Sequence, residues 1–475
     1  MDWLDSIVSV ANDYLWSYVL IAMLVGVGLM FTVRTKFVQI VQIPEMIRLL
    51  FEGVGAKARE GHITTFQAFC ISTASRVGVG NIAGIALAVT LGGPGAIFWM
   101  WVIATIGAAS GFVESTLAQI YKVRGTAGNY VGGPAYYIKN VLKSKFFAAL
   151  FAVLITITYG LIFNSVQANT MALSLEGAFG LSTTTTGIVT AVLTAFILMG
   201  GMRRIAKVVE VMVPVMAGLY LGLALIVMVM NITSIPAVIS QIISCAFGFD
   251  SVMGAGIGAA MMNGIKRGLF SNEAGMGSIP NAAAAADATH PVKQGLVQGF
   301  GVYVNTMFVC TASAMLVLIV PGWEGLGKTG IALIQHNLTH ELGSWASILL
   351  TVTVLFFAFS SVIGNYFYGE INMYFITKNR LALPFFRLCV VVMVYVGSVA
   401  SLSFVWNMAD LFMALMTIVN LVAIALLGKY AYAALDDYIA QKKRGVLEPE
   451  FDPSVLPDQT GVECWPRRVT EEIKQ

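Results

Sequence analysis

The sequence has little charge, few cysteines and few histidines. Of its 475 residues only 11% are charged, whereas 57% are hydrophobic, and the formal net charge at pH 7 is +3. This composition excludes a soluble domain of ordinary surface chemistry, and so small a charge does not suggest a nucleic-acid partner. The five cysteines are scattered and predict neither a disulfide framework nor a CxxC metal site. We therefore expect an integral membrane protein.

No recognisable catalytic motif accompanies the four histidines. His336 and His340 stand four residues apart, as two metal ligands on one helical face would, but no third ligand is evident. No nucleophile stands beside any of the four in a known catalytic pattern. The sequence therefore does not predict an enzyme.

Long polar segments are also absent, and apolar runs follow one another along the chain. A membrane-spanning helix needs about 20 apolar residues. Asp2 and Asp5 stand where a signal peptide would carry positive charge, so we expect the first run to be retained. The predicted fold class is an all-α polytopic membrane protein with about eleven transmembrane helices. These cover residues 14–33, 64–90, 96–120, 148–174, 183–200, 207–230, the complicated region 236–288, 294–320, 345–374, 385–402 and 408–428.

The distribution of lysine and arginine predicts the orientation, because these residues are enriched in short cytoplasmic loops. They cluster in alternate loops, which places the N-terminus outside and the tail, 441–475, in the cytoplasm as a loosely ordered segment. Lys328 alone falls in a predicted external loop, while Arg76, Lys266 and Arg267 fall within interrupted helices. A simpler alternative leaves Lys266 and Arg267 in a cytoplasmic loop.

Two interrupted helices divide the chain into halves. The segment VGVGNI at 77–82 matches AGMGSI at 274–279, and a proline-initiated segment precedes each interruption. Each half contains five helices, an odd number, so the halves would have opposite orientations in the membrane. Inverted repeats of this kind are typical of secondary transporters. We expect one transmembrane domain over 1–440, with repeats at about 39–231 and about 232–430.

The first interruption predicts an anion site. A helix that stops and restarts within a bilayer leaves backbone groups without partners, which is tolerated only beside a protein cavity. The amides of Val79, Gly80 and Asn81 would begin the second half-helix, where N–H groups and the helix dipole attract a carboxylate. The alternative is an ordinary contact between helices through Gly80 and Gly84.

The end of the first half-helix predicts a cation site. Carbonyl oxygens released near Ala74 and Val77 are hard ligands that suit a small cation. Ser360 and Ser361, in the otherwise apolar run 345–374, could add hydroxyl ligands. Ordinary hydrogen bonds between helices are the alternative for both serines.

Two opposite charges occupy corresponding positions at the two interruptions. Because a charge within a bilayer needs a partner, we predict that Arg76 and Glu273 form an ion pair. The alternative leaves Glu273 in a cytoplasmic loop. Glu114 is a further intramembrane acid, either a proton site or a partner of Arg76.

Three further polar side chains are predicted to line the same cavity. Gln167 lies three residues after Asn164 and therefore on the same helical face. Asn365 follows Gln167 by nearly the same number of residues that separates the matching segments 77–82 and 274–279. Ser271 belongs to the second interruption. For each, an interhelical hydrogen bond is the alternative.

Three segments resemble the alanine or glycine:cation symporter family, and the similarity covers the chain to about residue 440. The segments are GNIAG at 80–84, GGPGAIFWMWVIATIG at 92–107 and KRGLFSNEAGMGSIPNAA at 266–283. The resemblance implies a LeuT-type fold of five plus five inverted helices after one extra N-terminal helix. It also implies that the substrate is contacted by Gln167 and by the residues of the first interruption, which are Gly78, Val79, Gly80 and Asn81. It further implies an aromatic lid, Phe270, and a sodium site formed by Ala74, Val77, Ser360 and Ser361.

The resemblance further implies sodium-coupled import of a small neutral amino acid, alanine or glycine, across a bacterial or archaeal cytoplasmic membrane. Some family members have tryptophan where this chain has Asn365, so a glutamine-sized substrate remains open. Proton coupling through Glu114 or Glu273 is the alternative to sodium, although residues 208–230 contain no lysine that could replace the cation. A channel or sensor would need a continuous polar pore or a signalling domain, and neither is evident in the sequence.

Overall fold

The computed structural model describes residues 2–54, 62–125, 128–199, 202–248 and 256–465. These residues are mostly helical, as predicted. A small antiparallel hairpin pairs β1 (Val123–Arg124) with β2 (Tyr130–Val131). The N-terminal half contains α1 (Asp2–Tyr14), α2 (Ile21–Arg34), α3 (Val38–Val41), α4 (Ile43–Glu52), α5 (Thr65–Arg76), α6 (Ala83–Gly92), α7 (Gly95–Ile120), α8 (Pro134–Asn140), α9 (Lys145–Ile157), α10 (Asn164–Phe179), α11 (Thr183–Leu198) and α12 (Met202–Met230).

Three of the long helices contain a π-helical segment. Leu15–Leu20 joins α1 to α2, Thr158–Phe163 joins α9 to α10, and Val304–Cys310 lies within a span of the C-terminal half. That half contains α13 (Ile235–Ala246), α14 (Ile257–Asn272), α15 (Ile279–Ala285), α16 (Pro291–Tyr303), α17 (Thr311–Leu318), α18 (Gly330–Leu342), α19 (Ser344–Ile376), α20 (Ala382–Val399) and α21 (Leu402–Lys443). Short 3₁₀ turns cover Val79–Asn81, Trp323–Leu326 and Pro453–Val455.

Eight helices in the described part of the chain are long and apolar enough to cross a membrane, and the bent pair α5 and α6 makes a ninth. Helices α11 and α13 are apolar but shorter. The count of eleven therefore stays a prediction, while the multi-pass membrane architecture is confirmed. The eight are Ser6–Arg34, Gly95–Ile120, Lys145–Phe179, Val209–Met230, Pro291–Leu318, Ser344–Ile376, Ala382–Val399 and Leu402–Lys443.

The two proline-initiated segments form short helices, α4 and α13, each with proline in its first turn. On α4 the apolar side is buried through Met46 and Leu49, whereas Arg48 bonds Glu45 and Glu52 on the other side. An apolar stripe opposite a charged face is typical of a helix lying along a membrane surface.

Both predicted interruptions are present. Helices α5 and α6 meet at an angle of 60°, and α14 is separated from α15 by six residues, 273–278, with Glu273, Gly275 and Gly277 at positive φ. Lys266 and Arg267 lie within α14, and Arg267 is only 4% exposed. Both residues therefore belong to a helix of the bundle rather than to a loop, and the side of the membrane on which they lie stays a prediction.

Helix α7 is the central element, because it packs against α14, α16 and α2. Small residues permit this close packing, as Gly107 faces Ala274 and Gly111 faces Val302. Such contacts are typical of helix packing within membranes. On the other side, α5 packs against α12 and α19, so both interruptions lie inside the bundle.

The described part of the tail does not match the expectation of a loosely ordered segment. Phe451 is buried against the ring of His290, and its backbone N–H donates to the carbonyl of Thr289. Trp465 Nε1 donates to the carbonyl of Gln119 at the end of α7. These contacts hold residues 444–465 against the helix ends, and that expectation was wrong for them.

Two glycines of α14 give a matched test of this packing. A methyl group at Gly264 would collide with the carbonyl of Ala96 on α7, whereas nothing lies within 4 Å of the equivalent position at Gly258. We expect Gly264→Ala to destabilise the protein by about 1–3 kcal/mol through overpacking. Gly258→Ala should leave stability unchanged or slightly higher. Thermal unfolding in detergent measures both, and equal midpoints would contradict this packing.

Candidate functional site at the two helix interruptions

The first interruption is formed by the local sequence around Gly78. Helix α5 begins with a reciprocal hydrogen-bond pair between Thr64 and Gln67 and ends at Arg76. Gly78 is extended, and the 3₁₀ turn Val79–Asn81 leads into α6. Residues 68–89 are all buried, so their backbone hydrogen-bonding groups need partners within the protein.

The glycines of the interruption allow other chains to approach closely. A methyl group at Gly78 would collide with Ser361 Oγ and with the amide group of Gln167. At Gly80 it would collide with the ring of Phe270. The structure therefore brings together, at the first interruption, residues from four separate parts of the sequence.

Gln167 holds the backbone at the start of the 3₁₀ turn. The N–H of Val79 donates to Gln167 Oε1 at 3.1 Å, and both residues are buried. An amide oxygen thus occupies the position at which a carboxylate could accept from the same N–H. This contact matches the sequence prediction that placed Gln167 beside the first interruption.

Aromatic rings cover the interruption. Phe270 lies 4.6 Å from the ring of Phe163 and 4.9 Å from that of Trp406, measured between centroids. Such separations are typical of favourable aromatic contacts. Phe270 therefore covers Gly80, while its role as an aromatic lid stays a prediction. Trp406 is a second ring that the sequence analysis did not select.

The predicted cation ligands are brought together only in part. Ser361 Oγ donates to the carbonyl of Ala74 at 2.9 Å, and Val77 follows at the end of α5. Ser360 Oγ instead donates to the carbonyl of Phe357 and lies 3.3 Å from Met216 Sδ. The hydroxyl and carbonyl oxygens at Ser361 and Ala74 are hard ligands that fit a small cation.

The side chain of Asn81 has no partner among the described residues, although the residue is fully buried. The backbone carbonyl of Asn81 accepts a hydrogen bond from Ser313 Oγ. Asn305, also fully buried, likewise has both side-chain atoms without a described partner. Because buried polar groups normally have partners, both amides remain available to a bound ligand or water.

Polar side chains connect the two interruptions. Asn365 Nδ2 donates to Asn164 Oδ1 at 3.1 Å, and Asn365 Oδ1 lies 2.7 Å from Ser75 Oγ. The same hydroxyl lies 3.2 Å from Glu273 Oε1, and Ser278 Oγ donates to Glu273 Oε2 at 2.6 Å. A continuous polar path therefore leads from α10 through α19 and α5 to the second interruption.

The predicted ion pair between Arg76 and Glu273 is not formed; within the described ranges no salt bridge joins them. The guanidinium of Arg76 donates to Ser72 Oγ and to Gln298 Oε1, both at 2.8 Å. Glu273 is 2% exposed and bonds two serines instead, so its placement in a cytoplasmic loop is wrong as well. Arg76 is satisfied by amide and hydroxyl oxygens of α5 and α16, which the sequence alone did not indicate.

Glu114 holds the second interruption. Its carboxylate accepts hydrogen bonds from the backbone N–H groups of Gly275 at 3.0 Å and Gly277 at 3.1 Å, and from Asn420 Nδ2 at 2.8 Å. It is therefore not bonded to Arg76. The two interruptions thus differ, because a carboxylate of the protein itself satisfies the second.

Ser271 forms its hydrogen bond with a residue of another helix. Its hydroxyl is 2.9 Å from Cys310 Sγ in the π-helical segment of α16–α17. One further cluster was missed by the sequence analysis, in which Arg267 and Lys266 both pair with Asp410 of α21. A lone acid within the apolar run 408–428 was the signal that could have revealed it.

Comparison with known proteins identifies the class first. A solved manganese transporter of Eremococcus coleocola aligns with 83% of this chain and 92% of its own, with a TM-score of 0.52 and 12% identity. That likeness shows the fold alone, and buried helix interruptions like those described above are found in many secondary transporters.

The sequence comparisons are more specific. The sequence profile of the sodium:alanine symporter family matches residues 1–453. A Bacillus subtilis protein described as a probable sodium/glutamine symporter, GlnT, is 51% identical over 463 residues, covering 98% of this chain and 96% of the relative. The sodium/alanine symporter AgcS of Methanococcus maripaludis is 36% identical over 431 residues, covering 89% and 94%. The chain belongs to the sodium:alanine symporter family; it is a cation-coupled amino-acid symporter and not an enzyme.

We expect Glu114→Ala to be strongly destabilising, because it leaves two buried backbone N–H groups and one amide without an acceptor. Each such buried group costs about 1–3 kcal/mol. Asn420→Ala should also destabilise the protein, because it removes the hydrogen bonds of Asn420 to Glu114 and to the carbonyl of Gly275 and the acceptor of the Tyr137 hydroxyl. Glu176→Ala, which removes an exposed carboxylate of α10, is the control. Thermal unfolding in detergent measures all three, and a Glu114→Ala protein as stable as the control would contradict the proposed role.

Proposed function

We propose that this protein imports a small neutral amino acid, alanine or glycine, together with sodium by alternating access in a LeuT-type fold of two inverted five-helix repeats. The observation that carries this proposal is the first interruption, where Gln167 meets the N–H of Val79 and Ser361 meets the carbonyl of Ala74. Anion-accepting amides and cation-accepting oxygens thus occur within one buried segment. The sodium and alanine of the family name agree with this chemistry.

The substrate carboxylate is proposed to bind the amides of residues 78–81. In the described conformation Gln167 Oε1 accepts from Val79, and a carboxylate would replace or share that contact. Charge-assisted hydrogen bonds are stronger than neutral ones, so the exchange is favourable. Phe270, packed on Gly80, would then cover the bound molecule.

Sodium is proposed to bind the carbonyls of Ala74 and Val77 with the hydroxyl of Ser361. Oxygen ligands of this type suit hard cations. Ser360 contributes less in this proposal, because its hydroxyl is directed to Phe357 on its own helix. Sodium is cargo here, and its binding would couple the ion to the half-helix that also holds the substrate carboxylate.

Glutamine is a second candidate substrate. The relative GlnT is described as a probable sodium/glutamine symporter, and Asn365 with Asn164 gives the cavity an amide-lined wall. An amide side chain could replace hydrogen bonds within that wall, whereas the methyl group of alanine could not. Polar complementarity of this kind discriminates between substrates more strongly than size does.

Proton coupling is the second candidate mechanism, and the contacts of the acids weigh against it. Glu114 accepts three hydrogen bonds that tie it to the second interruption, so its carboxyl group serves the fold rather than a transported proton. Glu273 likewise bonds Ser75 and Ser278. Among the described residues of α12 after Lys207, Glu210 carries the only charge, and its carboxylate accepts a hydrogen bond from Gln67.

We further propose that the protein lies in the cytoplasmic membrane with its N-terminus outside.

Uptake by proteoliposomes tests the proposal. We expect an imposed inward sodium gradient to drive accumulation of labelled alanine, glycine or glutamine. A proton gradient without sodium should drive none. Comparison of the three substrates at equal concentration identifies the preferred one. Uptake that ignores sodium would contradict the ion assignment, and uptake of none of the three would contradict the substrate class.

The two neighbouring serines offer a matched pair for the sodium site. Ser361→Ala should raise the sodium concentration for half-maximal uptake by roughly tenfold, since it removes a hydroxyl ligand. Ser360→Ala should change it little. Sodium titration of uptake at saturating amino acid measures both variants. A larger effect for Ser360→Ala would place the cation elsewhere on α19.

A further inference from the structure

Two half-helices, one from each interruption, meet at one end of the bundle. Helix α5 leads from this end to the first interruption, α15 leads back to it from the second, and the two pack against each other. Ile63, just before α5, forms a β-bridge with Ala286, just after α15, and the N–H of Asp287 donates to the carbonyl of Ile63 at 2.9 Å. The charge distribution predicts this end to be cytoplasmic. A route from the first interruption to the cytoplasm would open between these half-helices.

Helix α7 ends beside this junction and is bonded to it. Gln119 Nε2 donates to the carbonyl of Ala283 and, at 2.9 Å, to that of Ala286. Lys122 Nζ donates to the same carbonyl of Ala286 at 3.2 Å and to Gln119 Oε1 at 2.9 Å. Lys122 is only 2% exposed. Carbonyls at the end of a helix often need side-chain donors, so these two side chains fix the end of α15 to α7.

The last described part of the chain covers these contacts. We call residues 449–465 the C-terminal strap. Trp465 Nε1 donates to the carbonyl of Gln119 at 2.9 Å, and the Trp465 ring lies 4.5 Å from Lys122 Nζ. The ring of Tyr130 lies 4.1 Å from the same ammonium group. Aromatic faces attract a cation, more strongly where water is excluded. Trp465 therefore stabilises the position from which Lys122 and Gln119 hold α15.

The other end of the C-terminal strap is fixed to the start of α16. Thr289 Oγ1 donates to the carbonyl of Pro449, and the carbonyl of Thr289 accepts from the N–H of Phe451, both at 3.0 Å. Phe451 is buried, and its ring lies 5.3 Å from that of His290 and 5.1 Å from that of Trp465. The strap therefore joins the start of α16 to the end of α7, beside the end of α15.

We propose that the C-terminal strap keeps α5 and α15 together at the cytoplasmic face and that it must leave Lys122 before this face opens. The inference rests on the proposed alternating access, in which one side of the bundle opens at a time. The strap contacts neither interruption, so it acts on the rate of opening and not on the affinity for the amino acid. Conformational steps of this kind set the turnover of many transport and catalytic cycles.

The native thiol of Cys70 reports the opening. Cys70 is 1% exposed, and it lies in α5 three residues after Gln67, which bonds Glu210 of α12. Residues three apart share a helical face, so movement of α5 away from its neighbours would expose this thiol to a water-soluble maleimide. All proteins carry Cys464→Ser, because Cys464 stands beside Trp465. Mass spectrometry of the peptides then gives the alkylation rate at each remaining cysteine.

Trp465→Ala should raise the alkylation rate of Cys70 by about tenfold, because the opening no longer breaks the hydrogen bond to Gln119 or the contact with Lys122. Trp465→Phe keeps a ring on Lys122 but removes the indole N–H, so a smaller rise is expected. Glu463→Ala changes an exposed side chain of the same strap and is the control. Its Cys70 rate should equal that of the parent protein.

A second buried thiol separates opening from unfolding. Cys245 packs beside Gly95 at the start of α7, the end of that helix away from the strap, and should keep its rate in every variant. Equal Cys70 rates in Trp465→Ala and Glu463→Ala would overturn the inference. A rise shared equally by Cys70 and Cys245 in both tryptophan variants is general unfolding and overturns it too. Alkylation needs no transported substrate, so the strap can fail this test while sodium-driven uptake still supports the proposed function.

Discussion

The structure depends on how backbone groups are satisfied where two helices are interrupted inside an apolar bundle. No water replaces a missing helical hydrogen bond in the hydrocarbon region, so side chains or ligands must supply the partner. At the second interruption Glu114 supplies it to Gly275 and Gly277. At the first, the neutral amide of Gln167 supplies it to Val79. A carboxylate is thus built into one interruption, whereas the other can receive one from a substrate.

This difference gives the two interruptions separate roles. Glu114 is held by three donors and packs within the centre of the bundle, so it makes the second interruption a fixed part of the fold. The first has glycines at its contacts with Ser361 and Phe270, and the oxygens that we propose as sodium ligands come from both α5 and α19. In this proposal, binding that draws α5 and α19 together would couple the ion to the conformation of the transporter.

The helices and both interruptions were predictable, because apolar periodicity and glycine pairs are local signals. The sequence also placed Gln167 near the first interruption, but it did not indicate the hydrogen bond to Val79. The contact partners of Arg76 were not predictable. Matching the two halves placed Glu273 opposite it, but the face that α16 presents with Gln298 depends on packing. Ser360 and Ser361 point about 100° apart on α19. Which of the two faces the first interruption depends on how α19 is rotated in the bundle, and the sequence does not give that rotation. The sequence shows Asp410 as a lone acid in an apolar run, but it does not show that its partner lies on the distant helix α14.

The central claim is that the first interruption binds the amino-acid carboxylate and sodium together. A cryo-electron microscopy map of the protein with sodium and its transported amino acid tests this most directly. The account predicts carboxylate density against the amides of residues 78–81 and an ion between the carbonyl of Ala74 and Ser361 Oγ. A map in which the bound amino acid contacts neither these amides nor Gln167 would contradict it.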